Sequence, residues 1–99
     1  YTLASSSKWN EKRISIVSCL AFIRQNDFTD ILKISKSLIQ DENDLIQKAI
    51  GWMLREVGKR DKEVLLDFLN KNIKQIQRIT LRYALEKFPK QERDYWYAK

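Results

Sequence analysis

The sequence predicts an all-α domain built as a short α-α superhelix, in which about three antiparallel helix pairs stack side by side. Three observations favour this fold class. The chain contains only 2 Gly and 1 Pro, and its 43% hydrophobic residues alternate with 32% charged ones, a composition typical of helical domains. Apolar residues recur at every third or fourth position over most of the chain. A weak internal repeat starts at Arg13, Lys48 and Arg78, with spacings of 35 and then 30 residues.

Polar turns between the apolar stretches divide the 99 residues into six predicted helices. Residues 1–7 have no sustained pattern and are expected to be a frayed beginning or a cut linker. Helix caps are expected at Ser7, Asp27, Asp44 and Asp61, and helix ends at Gly58 and before Pro89. Within a single domain covering residues 1–99, the helices are predicted at about residues 8–24, 28–38, 44 to 58 or 60, from 61 onward, 73–87 and 90–99.

The predicted helix that begins at Asp44 carries two opposed stripes. Its apolar stripe, expected to face the core, comprises Ile46, Ala49, Ile50, Met53, Leu54 and Val57. The opposite stripe comprises Lys48, Trp52, Arg55 and Lys59. A tryptophan between three cations is unusual for a core residue, and Gly51 beside it costs about 1 kcal/mol relative to Ala inside a helix. We therefore expect a large ligand to approach the bare backbone at Gly51, and we interpret this stripe as a binding surface.

The internal repeat extends this surface. Its spacing is shorter than the ~40 residues of typical HEAT repeats, so it predicts abbreviated, HEAT-like units. If the units stack in register, Arg13, Lys48 and Arg78 occupy equivalent places on successive first helices, and Arg55 and Arg82 extend the same ridge. A curved row of cations matches a phosphate backbone. The simpler alternative is that these cations form an ordinary solvated face.

Composition narrows the classes of function. The chain has no His and a single cysteine, Cys19, so it offers no imidazole base, no zinc-ligand spacing and no disulfide framework. No apolar run approaches the ~20 residues of a membrane span, and no Gly-rich phosphate loop is present. The net charge of +6 points to a polyanionic partner, with nucleic acid first and an anionic membrane surface second. No cofactor and no metal are expected.

Three collinear stretches carry a resemblance to a known family. They are WNEKRISI from Trp9, IQKAIGWMLREV from Ile46 and RITLRYALEKF from Arg78, of which the middle one is the most specific. Together they resemble the bacterial DNA alkylation repair glycosylases of the AlkD-like, HEAT-like repeat superfamily. The resemblance covers nearly the whole chain.

This resemblance implies an activity and a set of site residues. The activity is hydrolysis of the N-glycosidic bond of cationic alkylated purines, such as 3-methyladenine and 7-methylguanine, in double-stranded DNA. Trp52 matches the tryptophan that faces the lesion's nucleotide, and Arg13 and Arg55 match arginines that hold DNA phosphates. A cationic base is already a good leaving group, so an aromatic face and a carboxylate can stabilise the cationic sugar left behind. Our candidate site has Trp52 as its catalytic residue and the following DNA-binding cations: Arg13, Lys48, Arg55, Lys59, Arg78 and Arg82.

The resemblance also implies a departure. The family's catalytic carboxylate and a second tryptophan lie on helices upstream of the stretch that resembles residues 9–16. We therefore expect the chain to be the C-terminal half of a larger glycosylase and to lack base excision on its own. We further expect a monomer that binds alkylated duplex DNA in the cytoplasm, at the nucleoid, without a membrane.

Several alternatives stay open at this point. Trp52 is also compatible with packing at a repeat junction, and Arg55 with a surface ion pair to Glu56 or Asp44. For the whole chain, the alternatives are a non-catalytic DNA-structure binder and a HEAT-type scaffold for protein interactions.

Overall fold

The regular structure of the chain is helical throughout the described residues. The structure, a computed structural model, describes residues 9–99, with side chains from Lys12 onward, so the predictions for residues 1–7, including the Ser7 cap, lie outside the described residues. The predicted all-α fold class is confirmed. The helices are α1 Trp9–Val17, α2 Leu20–Arg24, α3 Thr29–Leu38, α4 Asp44–Arg60, α5 Lys62–Asn72, α6 Arg78–Ala84 and α7 Lys90–Tyr97.

Helix α4 is the centre of the packing. It contacts α1, α2, α3, α5 and α6, and its closest partner is α6. All six residues of its predicted apolar stripe are buried, none more than 5% exposed. Each of these side chains except the smaller Ala49 contributes about 1.5–3 kcal/mol when it leaves water. The helices that carry the internal repeat, α1, α4 and α6, therefore stand side by side with α4 in the middle.

The bounds of α4 are among those predicted, with the end at Arg60 and not at Gly58, and only the cap differs. The helix begins at Asp44 as predicted, but Asn43 is the cap, because its side-chain oxygen accepts hydrogen bonds from the N–H groups of Leu45 (2.8 Å) and Ile46 (3.4 Å). Gly58 does not end the helix, which continues to Arg60. The next helix starts as predicted, because Asp61 leaves the helical conformation and its carboxylate accepts a hydrogen bond from the N–H of Glu63 (3.2 Å).

Gly51 serves the core and does not face a ligand, contrary to our expectation. It is buried, and a Cβ placed on it would lie 2.5 Å from Cβ of Tyr83 and 2.7 Å from the carbonyl oxygen of Thr80. The missing side chain at Gly51 thus lets α6 approach the backbone of α4.

The first predicted helix is broken in two. Helix α1 ends at Val17 and α2 begins at Leu20. Three side chains around the break bond backbone carbonyls one turn earlier: Ser15 to Lys12 (2.7 Å), Ser18 to Ser15 (2.9 Å) and Cys19 to Ser15 (3.4 Å). Such bonds compete with the helical ladder, and the N–H of Cys19 bonds Ile16 in the tighter pattern of a turn (3.2 Å).

The predicted helix over residues 73–87 is also shorter in the structure. Residues 73–75 form a turn that closes α5, and α6 spans only Arg78–Ala84. A further turn, in which Phe88 donates its N–H to the carbonyl of Leu85 (2.9 Å), leads into Pro89. Since the residue before a proline avoids the helical conformation, the chain leaves the helix before it starts α7.

A buried polar network fixes α6 and α4 to the α3–α4 turn. The side chain of Gln47 is fully buried, and its Nε2 donates to the carbonyls of Leu38 (2.9 Å) and Asp41 (2.8 Å). Its Oε1 accepts from the buried hydroxyl of Thr80 (2.6 Å), and Gln77 Nε2 donates to the same Asp41 carbonyl (2.8 Å). Each polar atom of the Gln47 side chain is therefore satisfied without water.

The side chain of Asp41 connects this turn to α1. Its Oδ2 accepts a hydrogen bond from Lys12 Nζ (2.7 Å), and its Oδ1 accepts from the N–H of Asn43 (2.9 Å). The bond from Lys12 is the main reason why the pKa of Asp41 lies below its ordinary value. The relative positions of α1, α4 and α6, which carry the predicted site residues, thus depend on this turn.

Candidate nucleic-acid interface

Four of the predicted site residues meet in one surface hollow. Arg13 from α1 and Lys48, Trp52 and Arg55 from α4 line a concavity of about 300 Å³. Its remaining lining residues are Leu45, Ala49 and Tyr83. We call this concavity the Trp52 hollow. Its lining contains three cations and no carboxylate among the described residues.

The indole of Trp52 lies between the core and the hollow. The side chain is partly buried and packs against the core cluster, and it also forms part of the wall of the hollow. The two roles considered from the sequence, packing and ligand contact, are therefore compatible. A ring held by the core on one side offers a fixed aromatic surface to a ligand on the other.

Arg55 is held in place by an ion pair that the sequence did not predict. Its Nη1 donates to a carboxylate oxygen of Glu86, and its side chain is 18% exposed compared with 54% for Glu86. Neither Glu56 nor Asp44 is its partner. The Nε of Arg55 is buried and makes no hydrogen bond to the described residues. The guanidinium thus has donor capacity left while one edge faces Glu86.

Arg13 and Lys48 differ from Arg55 because neither forms an ion pair with a described residue. Arg13 is exposed and Lys48 is half-buried. Both cations therefore present a charge to the hollow that no carboxylate of the described residues neutralises.

Lys59 lies in an adjacent cavity. This cavity, of about 200 Å³, includes Arg55 in its lining, together with Lys59, Lys62, Lys87 and Glu92. Lys59 itself forms an ion pair with Glu56 (3.0 Å). Because Arg55 lines both concavities, they adjoin along α4, but three cations of the second one, Arg55, Lys59 and Lys62, each have a carboxylate partner.

The structure does not bring Arg78 and Arg82 to the Trp52 hollow. Arg78 lies over the ring of Tyr97, 4.6 Å from its centroid, and lines a separate cavity. The reason is register: Lys48 is the fifth residue of α4, whereas Arg78 is the first residue of α6. Arg82 occupies the fifth position of α6, and its side chain is exposed.

Two residues of the surface were missed at the sequence level. Tyr83 lines the hollow and Glu86 pairs with Arg55. They are three positions apart, a spacing that places both on one face of a helical turn. This spacing was the signal that the sequence offered for the two residues. It does not show which helix the face meets, because only the packing of α6 on Gly51 brings the face to α4.

The described residues offer little acid–base or metal chemistry. No three His, Cys, Asp or Glu side chains among them form a group that could hold a metal ion. Burial, reinforced by the charge of Asp30, raises the pKa of the Cys19 thiol, so this cysteine is a poor nucleophile. None of the described helices combines the length and apolar character required to cross a membrane. The hollow thus combines three cationic side chains with an aromatic wall.

One comparison with known proteins identifies a family. A family model described as DNA alkylation repair enzyme matches residues 1–88, a range that contains every residue of the Trp52 hollow. Searches of the curated proteins and of the solved structures give no significant match. Since the family match spans most of the 99 residues, the chain belongs to the DNA alkylation repair enzyme family.

Proposed function

We propose that this chain is the DNA-binding part of a DNA alkylation repair glycosylase that acts on cationic alkylated purines of the 3-methyladenine and 7-methylguanine type. The observation that carries the proposal is the Trp52 hollow, in which one indole and three cations share a concave surface. The family membership supports a role in DNA alkylation repair. The hollow supports DNA binding as the part that this chain plays in that role.

The cations have the chemistry of phosphate ligands. Arg13 and Lys48 have no carboxylate partner among the described residues, so a DNA phosphate adds an attraction without breaking an existing ion pair. Arg55 has to exchange Glu86 for a phosphate. Both partners accept charge-assisted hydrogen bonds, and Glu86 is more than half exposed, so this exchange costs little.

The indole has the chemistry required near a cationic base. A positively charged purine, or the cationic sugar formed when the purine leaves, is attracted to an aromatic face by about 0.5–2 kcal/mol. This attraction is absent for an unmodified, neutral purine. Trp52 therefore supplies a preference for the lesion, and the cations supply affinity for the backbone around it.

Hydrolysis needs a carboxylate in addition to the indole. In the related hydrolysis of glycosides, carboxylates stabilise or trap the oxocarbenium-like transition state. The lining of the hollow has no carboxylate among the described residues, and Glu86 is engaged with Arg55. We therefore propose that these residues bind alkylated DNA and do not excise the base alone.

The same observation favours a second candidate, a non-catalytic binder of DNA structure. It shares the phosphate contacts but assigns no lesion chemistry to Trp52. The two candidates differ in whether affinity for a duplex rises when one base becomes cationic.

The test compares two duplexes of the same sequence, one of which carries a single 7-methylguanine. The proposed function predicts tighter binding of the modified duplex by the chain, and loss of that preference in Trp52→Leu, which retains an apolar side chain against the core. Lys36→Gln, at an exposed lysine of α3, serves as the control. Equal affinity for both duplexes would assign the chain to the non-catalytic class. Failure to bind either duplex, even at low salt where phosphate contacts are strongest, would favour a protein-interaction scaffold.

A direct assay of base release completes the test. We expect the chain to release no more methylated purine from alkylated duplex than an Arg55→Ala variant does. Release above that level would show that the chain contains a catalytic carboxylate after all.

A further inference from the structure

A second positively charged cavity lies between the start of α6 and the end of α7. It has a volume of about 360 Å³, and Arg78, Trp96 and Tyr97 are among the residues that line it. We call it the Arg78–Tyr97 cavity. It shares no lining residue with the Trp52 hollow, and α7 lies outside residues 1–88 that match the family. The family match therefore covers the α6 side of this cavity but not Trp96, Tyr97 or Lys99.

The charged side chains that line this cavity are all positive among the described residues. Lys74, Arg78 and Lys99 contribute three cations, and no acidic residue belongs to its lining in the described part of the chain. None of the three forms an ion pair with a described residue. The larger cavity between α5 and α7, of about 640 Å³, differs because Glu63, Asp67 and Glu92 line it. Of these two cavities, the Arg78–Tyr97 cavity is therefore the one suited to an anion.

The walls of the cavity are aromatic and apolar. Trp96 is buried and Tyr97 is half-buried, and both belong to the packed end of the core. The guanidinium of Arg78 lies over the Tyr97 ring at 4.6 Å, and Lys99 Nζ lies 5.8 Å from the Trp96 centroid. A guanidinium fixed on a ring presents a flat, cationic surface on which a nucleobase can stack.

Together these features define one class of ligand. Cations for a phosphate, beside flat aromatic and guanidinium surfaces for a base, are the two components of sites for single-stranded nucleic acid. The volume is near the lower end of the ~300–1,000 Å³ of small-ligand sites, which suits one nucleotide and not the broad surface of a membrane.

We propose that the Arg78–Tyr97 cavity binds an unpaired nucleotide of a DNA or RNA strand. Lys74, Arg78 and Lys99 contact the phosphate, and the base lies against the Arg78–Tyr97 pair. This site is additional to the proposed duplex contact at the Trp52 hollow and does not depend on it. Arg78 thus has a proposed role in nucleic-acid binding at this cavity, although the structure separates it from the Trp52 hollow.

The experiment measures binding of fluorescently labelled dT8 by anisotropy over a range of salt concentrations. Each phosphate contact on a single strand contributes about −0.7 to the slope of log K against log salt. We expect Arg78→Gln to weaken binding and to reduce the magnitude of the slope by about 0.7, whereas the matched control Lys36→Gln leaves the slope unchanged. Tyr97→Leu, with its fold checked by circular dichroism, is expected to weaken binding about fivefold or more.

Further arms of the experiment distinguish this site from the Trp52 hollow, from a plain phosphate site and from a lipid-binding surface. Arg13→Gln is expected to weaken binding of duplex DNA while leaving the effect of Arg78→Gln on dT8 unchanged, so failure of either site is visible on its own. The proposal is overturned if Arg78→Gln and Lys36→Gln have equal effects on dT8. It is also overturned if inorganic phosphate competes as well as thymidine monophosphate does, or if Arg78→Gln abolishes binding to phosphatidylserine vesicles but not to dT8.

Discussion

The contact between α4 and α6 at Gly51 gives the sharpest prediction about the fold. In Gly51→Ala, the new Cβ would lie 2.5 Å from Cβ of Tyr83 and 2.7 Å from the carbonyl oxygen of Thr80. Both atoms are fixed to the backbone of α6, so the whole helix has to move away. Overpacking of this kind costs about 1–3 kcal/mol, and we expect the upper end because no flexible side chain can yield.

The substitution also has a favourable term. Alanine is preferred to glycine inside a helix by about 1 kcal/mol. The net expectation for Gly51→Ala is therefore a loss of about 2 kcal/mol in the free energy of unfolding. For a domain of this size, each kcal/mol lowers the melting temperature by about 4–8 °C, so the expected decrease is roughly 8–16 °C.

Gly58→Ala is the matched control in the same helix. Its added Cβ would also lie 2.5 Å from a neighbour, but that neighbour is Cδ2 of Leu65, the far end of a flexible side chain. We expect this variant to be as stable as the wild type or up to about 1 kcal/mol more stable. Thermal and urea unfolding followed by circular dichroism measure both variants. Equal stabilities for Gly51→Ala and Gly58→Ala would refute the close approach of α6, and with it the placement of Tyr83 at the hollow and of Glu86 beside Arg55.

Three further predictions concern the polar network and the hollow. Asp41→Asn should lower the free energy of unfolding at neutral pH, because the pKa of Asp41 is lowered in the folded state. The difference in stability between wild type and variant should shrink as pH falls below about 3.9, since the stabilisation is lost as the carboxylate protonates. Urea unfolding at several pH values measures this difference. Thr80→Val should cost about 1–3 kcal/mol by leaving Oε1 of Gln47 buried without a donor, and a cost no larger than that of an exposed Thr29→Val control would contradict the network. Glu86→Gln should strengthen duplex binding up to about fivefold, because a phosphate no longer has to displace the carboxylate from Arg55. An anisotropy titration measures the affinity. Weaker binding would show that the ion pair is needed to position Arg55.

The parts of the fold that depend on local periodicity were predictable from the sequence. The apolar stripe of α4 is buried as predicted, because a helix that buries one face leaves a pattern readable from its own residues. The cap at Asp61 is also a local feature, and it was predicted correctly. The breaks near Cys19 and after Ala84 were missed, because serine hydroxyl bonds and turns before a proline compete with helix formation by amounts that composition does not reveal.

The parts that depend on tertiary contacts were predicted less well. The space beside Gly51 was assigned to a ligand because α6, which fills that space, is distant in the sequence. The partner of Arg55 was sought among nearby acids, whereas Glu86 lies 31 residues away. Arg78 was aligned by repeat spacing, and only the actual start of α6 shows that Arg82 holds the matching position. The spacing of Lys48, Trp52 and Arg55 was sufficient to place these three together, because all three project from one helix. The contribution of Tyr83 to the hollow depends on the packing of α6.

The central claim is that the Trp52 hollow contacts the phosphates of duplex DNA. The most direct measurement is the salt dependence of duplex affinity for the double variant Arg13→Gln and Lys48→Gln, compared with Lys33→Gln and Lys36→Gln on α3, which removes the same charge from exposed positions. With about −0.9 per neutralised phosphate, we predict that the first pair reduces the magnitude of the slope by about 1.8 and that the second pair leaves it unchanged. Equal slopes for the two double variants would contradict the claim.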